Sequence, residues 1–131
     1  MTPKAVVVAF WKAMQSNDFV HASSWLSEGY EGYWPQSREL IRGRTNFIEI
    51  NRQYPAAGRW QFDIRTLIAE GSRVVSEVDV TDGVVSARVI TFHQVERKRI
   101  RSQLEYWPDP FPTPAWRARY VEVIDRPNFP D

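Results

Sequence analysis

The chain has 131 residues, enough for one domain that buries about two-thirds of its unfolded surface, and seventeen basic residues against sixteen acidic ones leave a net charge of +1. That balance gives no general field for nucleic acid or an anionic membrane, and neither is expected as a partner. Cysteine is absent, which excludes disulfides, thiolate metal ligands and a thiol nucleophile.

The first predicted element is a helix over 5–16, AVVVAFWKAMQS, with Val6, Phe10, Ala13 and Met14 on one stripe. Trp11-Lys12 interrupts its apolar run well before the roughly 18 residues of a membrane span. With Lys4 alone ahead of it and no small-residue cleavage site, no signal peptide is expected, and the predicted location is cytoplasmic. Asn17-Asp18 ends this helix and caps a second over Phe19–Leu26. The segment 29–35, GYEGYWP, alternates aromatic with small or charged residues and predicts a short extended piece. A third helix is predicted over 44–54, with Phe47, Ile50, Asn51 and Tyr54 on one face, stopped by Pro55 and Gly58.

Strands follow. Trp60, Phe62, Ile64, Thr66 and Ile68 alternate with other residues up to a turn at Glu70-Gly71-Ser72. A second run over 74–80 ends at Asp82-Gly83, a third covers 84–95, and a fourth covers 100–107 after the turn at 96–99. Helices first and an antiparallel meander afterwards predict an α+β domain with three helices against one face of a curved sheet. The prolines at 108, 110, 112 and 114 end the last strand and predict a stiff extension over 108–131, able to carry Phe111 and Trp116 across an open end or a subunit seam.

Three stretches, AFWKAMQSNDF, IRGRTNFIEINRQYP and RIRSQLEYWPD, together with this element order, resemble the nuclear transport factor 2-like superfamily, which includes ketosteroid isomerase and the SnoaL-like polyketide cyclases. The resemblance covers nearly all of 1–131 as a single domain. It implies a cone-shaped fold with one deep pocket between the helices and the concave sheet face, and a homodimer formed through the other face. It also argues against ketosteroid isomerisation: the tyrosine donor falls on Phe10, the general base near Trp34-Pro35 and the protonated aspartic acid on Arg88.

If the family's strand phase holds, Arg88, Ile90 and Phe92 point inward from one strand, and Gln103, Glu105 and Trp107 from the next. Arg88 and Glu105 are then the candidate catalytic pair, Arg88 holding an oxyanion or carboxylate and Glu105 acting as base or acid. Phe10, Trp34, Asn51, Tyr54, Phe92, Gln103 and Trp107 are the candidate ligand contacts. Each has a plainer role: Arg88 and Glu105 as a structural pair, Asn51 bonded to a backbone carbonyl, the aromatics as core. The superfamily's epoxide hydrolases use an Asp-Arg-Asp set to activate water. Asp63, Glu77, Asp79 and Glu105 accompany Arg88 on the strands here, but Glu77 and Asp79 share a face with Val75 expected to be convex. Val75, Val85, Ala87 and Val89 are expected to form the apolar outer face of a dimer. His21 and His93 stand apart, with His93 opposite Phe92 and so outside; no metal or cofactor is expected. Two functions fit: a cofactor-free isomerase, cyclase, hydrolase or dehydratase acting on a hydrophobic molecule, or a non-catalytic module that binds one or serves assembly.

Overall fold

A computed structural model describes residues 1–130. Helix α1 spans Pro3–Gln15. The Thr2 hydroxyl caps it by accepting from the Ala5 N–H, and Pro3 sits where a missing N–H costs nothing. Its stripe of Val6, Val7, Phe10, Trp11, Ala13 and Met14 is buried. Asn17, at φ 61°, ends the helix; its side chain donates to Trp60 O at 2.8 Å and accepts from Trp60 N at 2.9 Å, pinning the helix end to the start of a later strand. Helix α2, capped by Asp18, covers only Phe19–Ser23. Leu26, predicted to be helical, instead opens a strand.

That strand, β1, spans Leu26–Trp34, and β2 spans Glu39–Arg42, a strand that the sequence pattern did not reveal. Gly43, at φ 81°, turns the chain into α3, Gly43–Gln53. Strands β3 (Gln61–Glu70), β4 (Arg73–Thr81), β5 (Ser86–Glu96) and β6 (Arg99–Tyr106) form the expected meander. The sheet is six-stranded in the order β2-β1-β6-β5-β4-β3, and it is mixed: β1 lies parallel to β6. Parallel neighbours need a long connection. Here α3 and the whole meander supply it.

Helix α1 packs across β3, β4 and β5, while α3 packs on β1 and β2. Val6, Val7, Phe10, Leu26, Val74, Val78, Val89 and Ile100 form the centre of the core. On β5 the phase is opposite to the expected one. Val89, Thr91, His93 and Val95 are buried, whereas Arg88 is exposed and Ile90 and Phe92 are on the outer side. The register explains this, since Glu105 stands opposite Thr91 and not within reach of position 88. Val89 therefore faces inward and cannot belong to an outer dimer face, and His93 is core, not surface.

A bulge between Ile64 and Thr66 similarly shifts β3, so that Leu67 rather than Thr66 or Ile68 continues the inner side. Beyond Tyr106 the chain has no regular structure until a 3-10 turn at Ala115–Tyr120. Phe111 and Trp116 are 73% and 75% exposed, so within the chain neither closes the open end of the domain.

Candidate functional site

Between the helices and the inner face of the sheet lies a cavity of about 130 Å³. An apolar cavity of about 150 Å³ holds a benzene ring, so the enclosed part suits a small ring or a compact branched group. Phe10, Trp11 and Met14 of α1, Phe47 and Ile50 of α3, and Phe62 and Val80 of the sheet supply apolar wall. Tyr30, Gly32, Tyr33 and Trp34 line it from β1, and Gln103, Glu105 and Trp107 from β6 and its end.

Seven of the nine sequence-predicted site residues reach this space: Phe10, Trp34, Asn51, Tyr54, Gln103, Glu105 and Trp107. Their arrangement differs from the expected one. Asn51 Nδ2 donates to Phe47 O at 2.9 Å, so one of its two amide N–H groups is engaged by its own helix. Tyr54 is exposed at the mouth, edge-on to Trp60 at 5.8 Å. Val85 and Ala87, expected outside, line the cavity.

Arg88 and Phe92 are not part of the site. Arg88 Nε donates to Asp79 Oδ1 at 2.9 Å and its Nη1 lies 3.5 Å from Glu77, with Arg65 on the other oxygen of Asp79 at 3.5 Å. A carboxylate-Arg-carboxylate set thus exists, but it is half-exposed on the outer face. Phe92 lies on that face too, against Tyr106 and beneath the Arg73 guanidinium, in a broader groove of about 280 Å³ that Leu40 and Leu104 also line.

Glu105 is the one ionisable acid or base other than tyrosine on the described cavity wall. Its Oε1 accepts from Trp34 Nε1 at 3.0 Å and Trp107 Nε1 at 3.1 Å, and its Oε2 accepts from Thr91 Oγ1 at 2.7 Å. Burial pushes its pKa up, and the three donated bonds oppose that rise without cancelling it. A carboxylate has about four acceptor sites, so one remains for a ligand. Among the described lining residues there is no cation, and Arg88, its expected partner, is on the other side of the sheet.

Behind the wall is a polar group that the sequence reading missed. Tyr30 Oη donates to Gln103 Oε1 at 2.7 Å, Gln103 Nε2 lies 2.9 Å from His93 Nδ1, His93 Nε2 lies 2.7 Å from Ser76 Oγ, and Trp11 Nε1 donates to Ser76 Oγ at 3.1 Å. All five residues are buried. Burial lowers the His93 pKa to about 3, so the ring is neutral, and raises that of Tyr30, to which the Glu105 charge adds. The visible signal was the polar alternation Thr91, His93 on β5, which reads as a solvated face until Ser76 and Gln103 are placed beside it. Among the described residues no group of three His, Cys, Asp or Glu side chains could hold a metal ion, and no helix is long and apolar enough to cross a membrane.

The comparisons agree with this architecture. The family profile of the SnoaL-like domain matches residues 7–103. A provisionally assigned ketosteroid isomerase from Kribbella flavida superposes with a TM-score of 0.85 at 23% identity, over 95% of this chain and 90% of that one. An NTF-2 like protein of unknown function from Burkholderia xenovorans gives 0.75 at 25% identity, over 93% and 94%. A ketosteroid isomerase-like fold from Catenulispora acidiphila, solved in complex with trimethylamine, gives 0.67 at 15% identity, over 81% and 86%. No curated protein matches the chain. With three-quarters of its length matched by one family profile and its helices laid on a curved mixed sheet, the chain belongs to the SnoaL-like domain family of the nuclear transport factor 2-like superfamily.

Proposed function

We propose that the protein binds a small, largely apolar molecule in its SnoaL-like cavity and that Glu105 moves a proton on it, as a cofactor-free isomerase, cyclase or hydrolase would require. The observation that carries this reading is the setting of Glu105: an acid in an aromatic chamber, held by two indoles and a threonine, with its pKa raised. A carboxyl whose pKa is moved towards neutrality is both a usable base and a usable acid. The isomerase pattern itself is missing, because Phe10 has no hydroxyl, Trp34 replaces the base and Arg88 lies outside. With Arg88 outside, the cavity also has no cation for a carboxylate, so the expected acid substrates are dropped in favour of neutral ones.

A second reading has one observation in its favour. Glu105 is a single negative charge among indole and phenyl faces, which is also how proteins hold small ammonium groups without turnover. The Catenulispora protein was solved with trimethylamine bound. A melting experiment separates the two. Anything that binds only the folded state raises Tm. Proton transfer on a neutral molecule predicts that cyclohexanone raises Tm at least as much as trimethylammonium, and that Glu105→Gln keeps this shift while abolishing hydrogen exchange at the ketone's α-carbon. A shift confined to trimethylammonium, and lost in Glu105→Gln, supports the amine reading. Exchange at an undiminished rate in Glu105→Gln contradicts the role given to Glu105.

Pairing of two copies through the outer sheet face is part of the proposal. Of the four apolar residues expected there only Val75 remains, joined by Ile90, Phe92, Leu104 and Tyr106 beside the Arg88 cluster.

A further inference from the structure

With Arg88 on the outer face, the cavity has a proton acceptor and, among its described lining residues, no cation to meet an oxygen of the bound molecule. The buried chain from Trp11 to Tyr30 supplies a donor instead, provided its hydrogen bonds run in a particular direction. With the Gln103 nitrogen towards His93 Nδ1, the neutral imidazole carries its proton on Nε2 and gives it to Ser76 Oγ. Trp11 Nε1 gives a second proton to the same oxygen. The Ser76 hydroxyl proton then has no acceptor in a fully buried position, an arrangement that proteins avoid.

Turning the Gln103 amide by half a turn exchanges oxygen and nitrogen in almost the same volume. Every bond beyond Ser76 then reverses. Ser76 donates to His93 Nε2, His93 Nδ1–H donates to the Gln103 oxygen, and the Gln103 amide donates to Tyr30 Oη. The Ser76 hydroxyl, the His93 Nδ1–H and one Gln103 N–H then each find an acceptor, and the Tyr30 proton is released to the cavity that Tyr30 lines. Gly32, paired in register with Gln103, is what lets the phenol reach this place: a Cβ on Gly32 would stand 2.5 Å from Tyr30 Oη.

We propose that Tyr30 is a hydrogen-bond donor to an oxygen of the bound molecule, and that His93, protonated on Nδ1 and acting through Gln103, is the positioning residue that keeps it so. The ligand class is thereby narrowed to small molecules with a carbonyl-type oxygen beside the bond that Glu105 attacks. Tyr30 keeps its proton and shares it with the oxygen on which charge collects, so the bond strengthens as Glu105 takes up its proton. The donor role rests on the Glu105 reading. The direction of the chain does not.

Two measurements on the full chain test it. In long-range proton–nitrogen NMR correlation, His93 is expected as the Nδ1–H form, and an Nε2–H form overturns the orienting role. With cyclohexanone labelled at its carbonyl carbon, the bound resonance is expected downfield of its position in Tyr30→Phe, with Ser76→Ala between the two. Binding with the same resonance in wild type and Tyr30→Phe overturns the donor role and leaves the Glu105 reading intact. A wild-type resonance in folded Ser76→Ala contradicts the orienting role. Failure of cyclohexanone to bind removes both the Glu105 reading and the donor role, while the His93 tautomer still decides the direction of the chain.

Discussion

His93 and Glu105 show how burial decides what a residue can do. The imidazole is enclosed by Ser76, Gln103, Phe10 and Trp11, without a carboxylate in contact, so burial favours its neutral, singly protonated form and its pKa falls to about 3. In the unfolded chain a histidine titrates near 6.5. Its folded pKa is depressed, so it stabilises the fold fully above about pH 6.5, and that contribution declines as pH falls towards about 3. The slope is on the order of 1.4 kcal/mol per pH unit. Denaturant titrations between pH 4 and 6.5 should show this loss of stability, and folded His93→Gln should show a shallower one. An unchanged slope in that variant contradicts the burial account. The sequence placed Glu105 correctly and His93 on the wrong face, because a lone histidine in a strand gives no sign of the serine and glutamine that satisfy it.

At the scale of the element, β6 and β5 contrast. The inward set Gln103, Glu105 and Trp107 came from the strand phase that the resemblance implied, and on β6 that phase agrees with the cavity lining. On β5 the phase implied by the resemblance put Arg88, Ile90 and Phe92 inward, and the strand's own pattern offered no check, because the inward pair Thr91 and His93 is the more polar one. A one-residue change of phase exchanges the two faces completely. The bulge at Arg65 and the four-residue β2 left no periodic trace, and the parallel pairing of β1 with β6 depends on contacts between distant segments. The corrected phase makes a plain prediction. Arg88→Ala removes a half-exposed ion cluster, so it should cost no more than about 1 kcal/mol per pair in stability and leave the binding of cyclohexanone unchanged. Loss of that binding would return Arg88 to the site.

For the whole molecule, the helices and the meander followed from apolar periodicity and turn residues, while the family rested on the resemblance of three stretches and is shown by the matching profile. Along the chain the cavity lining ends at Trp107, immediately before the first of the four prolines. Beyond it, Phe111, Trp116 and Tyr120 are exposed by 70% or more, and the outer sheet face carries Phe92 and Tyr106. A chain that leaves this much aromatic surface open is expected to associate. Light scattering at micromolar concentration should give twice the chain mass, and a monomer mass would contradict pairing through the sheet.

The central claim, that Glu105 in the inner cavity is the reacting group, is met most directly by carbon-13 titration of the Glu105 carboxyl with and without cyclohexanone. The account predicts a midpoint above the ordinary value of 4.5 and a carboxyl resonance that moves when the ketone is added. An ordinary midpoint, with a resonance indifferent to the ketone, would contradict it.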